Sequence, residues 1–146
     1  MAAPQLGSRR GFTLVEIALV IVIVGMLIGI AVPRFTAMRN GLQLDTAAHQ
    51  LAGELRRAQI EAVKRNKTIR VSKTATETYA VESLTPAVTL LYSRSFEPGV
   101  GFAAGAMTVS FASFGPPIGG GAAFPITFGG RTKTVTVGAN GIITVQ

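Results

Sequence analysis

From Phe12 to Val32 the chain runs for 21 residues with only two polar side chains, Thr13 and Glu16. Wound as a helix at about 1.5 Å per residue, such a run crosses the roughly 30 Å hydrocarbon core of a bilayer. Whatever follows must fold while tied to a membrane. Ser8-Arg9-Arg10-Gly11 stands just ahead of the run, so the positive-inside rule leaves the N-terminus in the cytoplasm and sends everything after Val32 across the membrane. A cleavable secretory signal has the same basic-then-apolar order, with Ala31-Val32 as a weak approach to a cleavage site. Two features oppose it: the run exceeds the usual apolar region of about 7–15 residues, and Glu16 sits inside it, where an ionised carboxylate is costly unless paired.

The remaining length supports one further domain, since the whole chain is 146 residues. With 48% hydrophobic and 14% charged residues it is too apolar to be disordered. Fourteen Lys and Arg against seven Asp and Glu give a net charge of +7, which draws anionic partners without choosing among nucleic acid, phospholipid and acidic protein. The absence of cysteine excludes disulfide scaffolds, thiolate metal sites and thiol catalysis. The single histidine, His49, follows Asp45 by four residues on a predicted helix and reads as a hydrogen-bonded surface or interface group. No nucleophile is placed to complete a catalytic constellation with it. Gly99–Gly105 lacks the spacing of a dinucleotide fingerprint and Gly119-Gly120-Gly121 lacks the Lys-Ser/Thr of a phosphate loop. The expectation is therefore no enzyme, no cofactor and no metal.

Beyond Pro33 the pattern becomes amphipathic: Ala48, Leu51, Leu55, Ala58 and Ala62 recur at spacings of three and four, joined by Ala52 and Val63. Glu61 and Arg65 form an i,i+4 pair, and Lys64-Arg65-Asn66 puts positive charge and a turn-tolerant residue where a helix stops. The stripe needs a partner surface, supplied by β-patterned runs at Thr68–Lys73, Thr78–Ser83, Val88–Arg94, Met107–Phe111, Ile126–Phe128, Thr132–Val137 and Ile142–Val145. Asn140-Gly141 between the last two is the strongest hairpin signal. Residues 99–125, rich in Gly, Ala and Pro, read as long loops around one strand. An α+β architecture follows, a long helix on an antiparallel sheet.

The string Arg9-Arg10-Gly11-Phe12-Thr13-Leu14-Val15-Glu16 ahead of a long apolar helix closely resembles the processing site of type IV pilins and type II secretion pseudopilins. The resemblance implies a pilin-like fold, with residues 1–11 as a leader, 12–33 as transmembrane and assembly helix, 34–66 as amphipathic helix and 67–146 as a β-rich extracytoplasmic part. It implies a prepilin peptidase that cuts after Gly11 and N-methylates Phe12, retention as a single-pass protein of the bacterial inner membrane, and incorporation into a pilus or pseudopilus that serves protein secretion or pilus assembly. Glycine at the scissile bond has no Cβ to obstruct a protease. The resemblance also supplies a partner for Glu16, the N-terminal amine of a neighbouring subunit. Gly25, Gly29 and Pro33 weaken the helix backbone, and a proline at this place in the family accompanies a curved helix that can melt on assembly.

Glu54–Lys67 followed by the strand Ile69–Val71 is similar to the helix-to-strand junction of the GspH/FimT minor subunits, and the run from Phe111 through Gly115, Ile126, Arg131 and Val135-Thr136-Val137 to Gly141–Val145 is similar to their closing strands. The major secretion pseudopilins carry an acidic calcium loop near the C-terminus, whereas no acidic residue follows Glu97 here. Seven cations, Arg56, Arg57, Lys64, Arg65, Lys67, Arg70 and Lys73, fall within 18 residues and mark a candidate surface for an anion or a partner. Nucleic acid is a weak candidate for it: DNA-uptake members carry arginines around the closing strand, a place taken here by Gly141-Ile142-Ile143.

Overall fold

A computed structural model describes residues 12–146, and the chain divides after Thr36 into two units, each described by itself. The helix α1 (Leu14–Arg65) begins at Thr13, whose Oγ1 accepts the Glu16 N–H at 3.2 Å. Thr13 is thus the N-cap and Glu16 the third helical residue, the Thr-x-x-Glu spacing of a capping box. Through the first unit the apolar side chains stay exposed, from 45% at Val24 to 85% at Leu14. The helix passes unbroken through Gly25, Gly29 and Pro33.

In the second unit α1 turns one stripe inward. Leu44, Ala47, Ala48, Leu51, Ala52, Leu55, Ala58 and Ala62 are all buried, the alanines letting the backbone lie close to its cover. Val63, expected on this face, is instead 51% exposed, because at about 100° from Ala62 it falls past the edge of the buried arc. The helix stops as predicted. Asn66 takes φ 51°, its N–H donates to Val63 O at 3.2 Å, and the Lys67 N–H reaches back to Ala62 O at 3.0 Å, the paired bonds of a Schellman end.

The strands are β1 (Ile69–Lys73), β2 (Thr78–Ser83), β3 (Thr89–Ser95), β4 (Gly101–Phe102), β5 (Thr108–Phe111), β6 (Pro117–Ile118), β7 (Ala122–Phe128), β8 (Arg131–Val137) and β9 (Ile143–Val145). They form two antiparallel sheets, β3-β2-β1-β5-β6 and β4-β7-β8-β9, where one sheet was expected. One core joins both to the helix: Ile69, Val71, Val81 and Phe111 from the first sheet, Phe124, Ile126, Val135 and Val137 from the second. Tyr79, Phe96, Phe102 and Phe124 pack in sequence with ring centroids 5.0–6.3 Å apart.

Residues 99–125 hold more than one strand. Gly101 lets β4 lie so close to Thr76 that a Cβ there would stand 2.9 Å from the Thr76 carbonyl oxygen, an approach no hydrophobic pattern announces. β7 runs through Pro125, whose carbonyl accepts the Ala103 N–H at 2.9 Å. Its missing N–H therefore points to the side where the short β4 ladder is already ending. The β8–β9 hairpin forms as expected, but Asn140-Gly141 is not its two-residue turn. Gly141 alone has positive φ, at 82°, and donates to Gly138 O at 2.8 Å, while Asn140 Oδ1 accepts the Ile142 N–H at 3.1 Å. That is the three-residue loop with a left-handed glycine at its end. The two-residue turn joins β7 to β8 at Gly129-Gly130, with φ 55° and 77°.

Candidate functional site

Gly11 lies outside the described residues; Phe12, on the other side of the predicted scissile bond, is 79% exposed. Glu16 sits one helical turn from Thr13, and its place at the N-terminal end of α1 is favourable for a carboxylate because the free backbone N–H groups there carry partial positive charge. A Cβ on Gly25 or Gly29 would meet nothing within 4 Å. Neither glycine is explained by packing among the described residues.

The seven clustered cations are not gathered on one face. Arg56 Nη2 donates to Ile143 O at 3.1 Å on β9, the outer strand of the second sheet. The adjacent Arg57 places its guanidinium 5.5 Å from the ring centre of Tyr92 on β3, the outer strand of the first. Consecutive helical residues point about 100° apart, so the two arginines staple opposite flanks of α1 to different sheets. Arg65 pairs with Glu61 at 2.5 Å, and Arg70 grips Glu82 Oε2 with Nε at 2.9 Å and Nη2 at 2.6 Å. Lys73 Nζ donates to Ala103 O at 2.7 Å and Gly105 O at 3.2 Å, clipping the loop that leaves β4. Lys64 is exposed and Lys67 half-buried at the helix end. The cations thus serve mostly as internal fasteners.

Two further polar groupings carry no sequence signal of comparable strength. Asp45 accepts from Lys133 of β8, not from His49 as the i,i+4 spacing suggested; the lysine holds the Asp45 carboxyl below the ordinary carboxylate range, and exposed His49 stands beside it. Tyr92 donates its hydroxyl to Glu54 Oε2 at 2.8 Å, with Arg94 Nε 3.7 Å from the other oxygen. Both partners lie more than thirty residues apart in sequence, beyond the reach of any spacing rule. By contrast, the Thr-x-x-Glu spacing of the cap at Thr13 and the Gly129-Gly130 pair of the β7–β8 turn are local signals, though neither is among the expectations drawn above from the sequence.

Burial, then the hydrogen bond to Glu54, push the Tyr92 hydroxyl up to about 12. Tyr79 is pushed up as well, chiefly by burial; it is 1% exposed, and its hydroxyl has no hydrogen-bond partner among the described residues. In both, folding favours the neutral phenol. The stability they confer is complete below the ordinary value of 10.0 and is lost as pH rises from there toward 12. These are the only two tyrosines in the chain. Ultraviolet titration should therefore show no tyrosinate near pH 10 in the folded protein, and ionisation above it in step with unfolding. Tyrosinate appearing at pH 10 with native circular dichroism would contradict the burial argument.

Among the described residues no three His, Asp or Glu side chains come together as a metal site. What the geometry presents instead is an uncovered apolar helix with a carboxylate at its start, continuous in α1 with the buried stripe of a two-sheet body. Residues 6–32 match the prokaryotic N-terminal methylation motif, and residues 47–141 match the family of the type II transport protein GspH. The chain belongs to the GspH family. Over 59 residues the GspH-family chain is 48% identical to the pilin-like protein PilA1 of Thermus thermophilus, covering 40% of this chain and 36% of that protein. Over 56 residues it is 43% identical to the type IV narrow pilus major component PilA5 of the same organism, covering 36% of this chain and 48% of that protein. The chain thus spans less than half the length of either relative.

The GspH-family fold is also that of the type IV minor pilin FimU of Pseudomonas aeruginosa, with TM-score 0.60 and 18% identity over 76% of this chain and 92% of that one. The minor pseudopilin EpsH from the Type 2 Secretion System of Vibrio cholerae gives TM-score 0.58 and 16% identity over 71% of this chain and 96% of that one. A long N-terminal helix packed on antiparallel sheets is common to all three.

Proposed function

We propose that this GspH-family chain is a minor structural subunit of a type II secretion pseudopilus or type IV pilus, released from its leader by prepilin peptidase and held in the inner membrane until it is incorporated. One conjunction carries the reading: a methylation motif at residues 6–32 overlaps a helix that is apolar on every side, on the same chain as a GspH body. The basic stretch Ser8-Arg9-Arg10 keeps the leader cytoplasmic, and the body lies on the far side. Glu16 pairs with the methylated amine of a neighbouring subunit. Gly25, Gly29 and Pro33 form the stretch that yields when subunits are packed together.

Processing after Gly11 is the direct test. Intact-mass spectrometry of the protein from its native membrane should give residues 12–146 with one added methyl group. A mass matching cleavage after Ala31 or Val32, or an unprocessed chain in cells that contain the peptidase, would overturn the reading.

A DNA-binding role in natural transformation is the second reading, favoured by the two guanidinium groups of Arg57 and Arg94 set 5.5 and 5.9 Å from the centre of one tyrosine ring, that of Tyr92. Most other cations of the cluster are engaged within the body, so few phosphates can be neutralised. Detergent-solubilised mature protein should bind duplex DNA weakly, without sequence preference, and with a salt slope of roughly −0.9 per contact that removes binding near physiological salt. A gel shift with sub-micromolar affinity at that salt, abolished by Arg57→Ala with Arg94→Ala, would put DNA uptake first.

A further inference from the structure

A strand at the rim of a sheet leaves part of its backbone without a partner, and the two sheets of the body have β3, β6, β4 and β9 at their rims. Three of these are short or already engaged. β4 and β6 are two residues each, and Phe102 of β4 donates its N–H to Thr76 O at 2.7 Å. On β9, the Gly138 N–H donates to Ile142 O at 2.8 Å, so the next pair, Val137 and Ile143, is unbonded and Ile143 faces outward. Arg56 takes that outward carbonyl at 3.1 Å. β3 is different: it runs for seven residues, and its edge is open. The Phe96 N–H donates to Glu77 O at 2.8 Å, one step beyond the Thr78–Ser95 pair. Bonded and unbonded pairs alternate, which turns the N–H and C=O of Ser95 and Ser93 away from β2. Thr78, opposite Ser95, accordingly donates to Ala75 O and accepts from the Thr74 N–H. Ser93 and Ser95 are exposed, and outside the ladder neither N–H finds a partner among the described residues.

Beside this edge the end of α1 leaves a recess of about 280 Å3, lined by Arg57, Glu61 and Arg65 of α1 and by Leu91 and Tyr92 of β3. Tyr92 and Arg94 point to the same face of the sheet, since both reach Glu54 of α1. A strand added along Ser93 and Ser95 would send every second side chain to that face, beside the recess. Two guanidinium groups stand there against one carboxylate, and that carboxylate, Glu61, is taken by Arg65. Arg57 has no ion pair among the described residues. The charge favours a carboxylate on the incoming strand. A second copy of this chain is a poor occupant, because antiparallel pairing of two β3 strands about a two-fold axis would bring Arg57 and Arg94 of both molecules to one seam.

We propose that the free edge of β3 receives an extended acidic segment of a different polypeptide, which adds as a further strand to the first sheet and sets a carboxylate against Arg57. Backbone hydrogen bonds at Ser93 and Ser95 supply the binding, and Arg57 supplies the preference for acid. The inference is separate from the filament reading and does not depend on which machine the subunit serves.

The test uses detergent-solubilised mature protein and labelled synthetic peptides as long as β3, seven residues. One alternates Thr with Glu, one alternates Thr with Lys, and two further forms of the Thr-Glu peptide carry N-methyl groups on one or the other set of alternate backbone nitrogens. Fluorescence anisotropy should show the Thr-Glu peptide binding about tenfold more tightly than the Thr-Lys peptide, the scale of exchanging attraction for repulsion at an exposed charge. Only one edge of an added strand faces β3, so one methylated form should bind about tenfold or more weakly and the other as its parent does. Ser95→Pro, which removes an outward N–H and leaves the β2–β3 ladder whole, should abolish binding with the melting temperature unchanged. If that variant fails to fold, the two methylated peptides still decide. Arg57→Gln should bring the Glu and Lys peptides to equal affinity. Equal binding of the Thr-Glu peptide and both methylated forms would indicate a plain charge contact, such as DNA would also make, and would overturn strand addition. A Thr-Lys peptide bound as tightly as Thr-Glu by the wild type would overturn the acidic partner, and no binding of Thr-Glu would overturn the inference whole.

Discussion

Filaments sheared from cells that express Glu16→Ala should contain little of the variant, while the membrane fraction holds as much of it as of the wild type. Removing a carboxylate makes the anchor more apolar, so insertion has nothing to lose. Incorporation does: the neighbour's amine would be left without its counter-charge, and stranding one member of a pair in low dielectric costs about 3–5 kcal/mol, roughly two to four orders of magnitude in occupancy. The Thr13 cap complicates a reading from alanine alone, since Glu16 is also the third residue of the helix. Glu16→Gln separates the two roles. It keeps a side chain able to complete the capping box yet removes the charge, so it should fail in filaments as alanine does, whereas Thr13→Ala should cost only about 1 kcal/mol of helix start. If Glu16→Gln were recovered in filaments at the wild-type level, Glu16 would be a capping residue and the pairing would be wrong.

Leu51→Ala should lower the stability of the body by about 2–5 kcal/mol, because the side chain is fully buried where the helix meets both sheets and the neighbouring alanines cannot expand to fill the space. For a unit of this size that corresponds to a fall in melting temperature of roughly 10 °C or more. Ile60→Ala, at 64% exposure on the same helix, should change stability by no more than about 0.5 kcal/mol. Thermal unfolding followed by circular dichroism measures both. Equal effects at the two positions would mean that the inward stripe of α1 has been misassigned.

The elements most visible in the sequence were those whose cause is local. The anchor announces itself by an uninterrupted apolar run, the end of α1 by Asn66, and β1, β2 and β8 by alternating patterns that match their observed limits to within one residue. β4 and β6, two residues each, exist because a neighbouring strand is there to pair with. The split into two sheets is likewise a long-range outcome, since no local pattern says which strand pairs with which. The cation cluster shows the same limit from the functional side. Proximity in sequence put seven charges together, and helix geometry sent Arg56 to β9 and Arg57 to β3.

The stapling of α1 by Arg56 on one flank and by Glu54 with Arg57 on the other bears on how the molecule carries load. A filament being extended or retracted transmits force along its subunits, and in this chain any tension on the anchor enters the body through α1, a single covalent rod. The rod is gripped from both sides within one turn, at Glu54–Arg57, by a carbonyl of β9 and by Tyr92 of β3, with the alanine-lined stripe between. Axial tension must shear these contacts together instead of unzipping them one at a time. Rupture force in single-molecule pulling from the N-terminus should accordingly fall when Arg56 or Tyr92 is truncated, even though each lies near the surface.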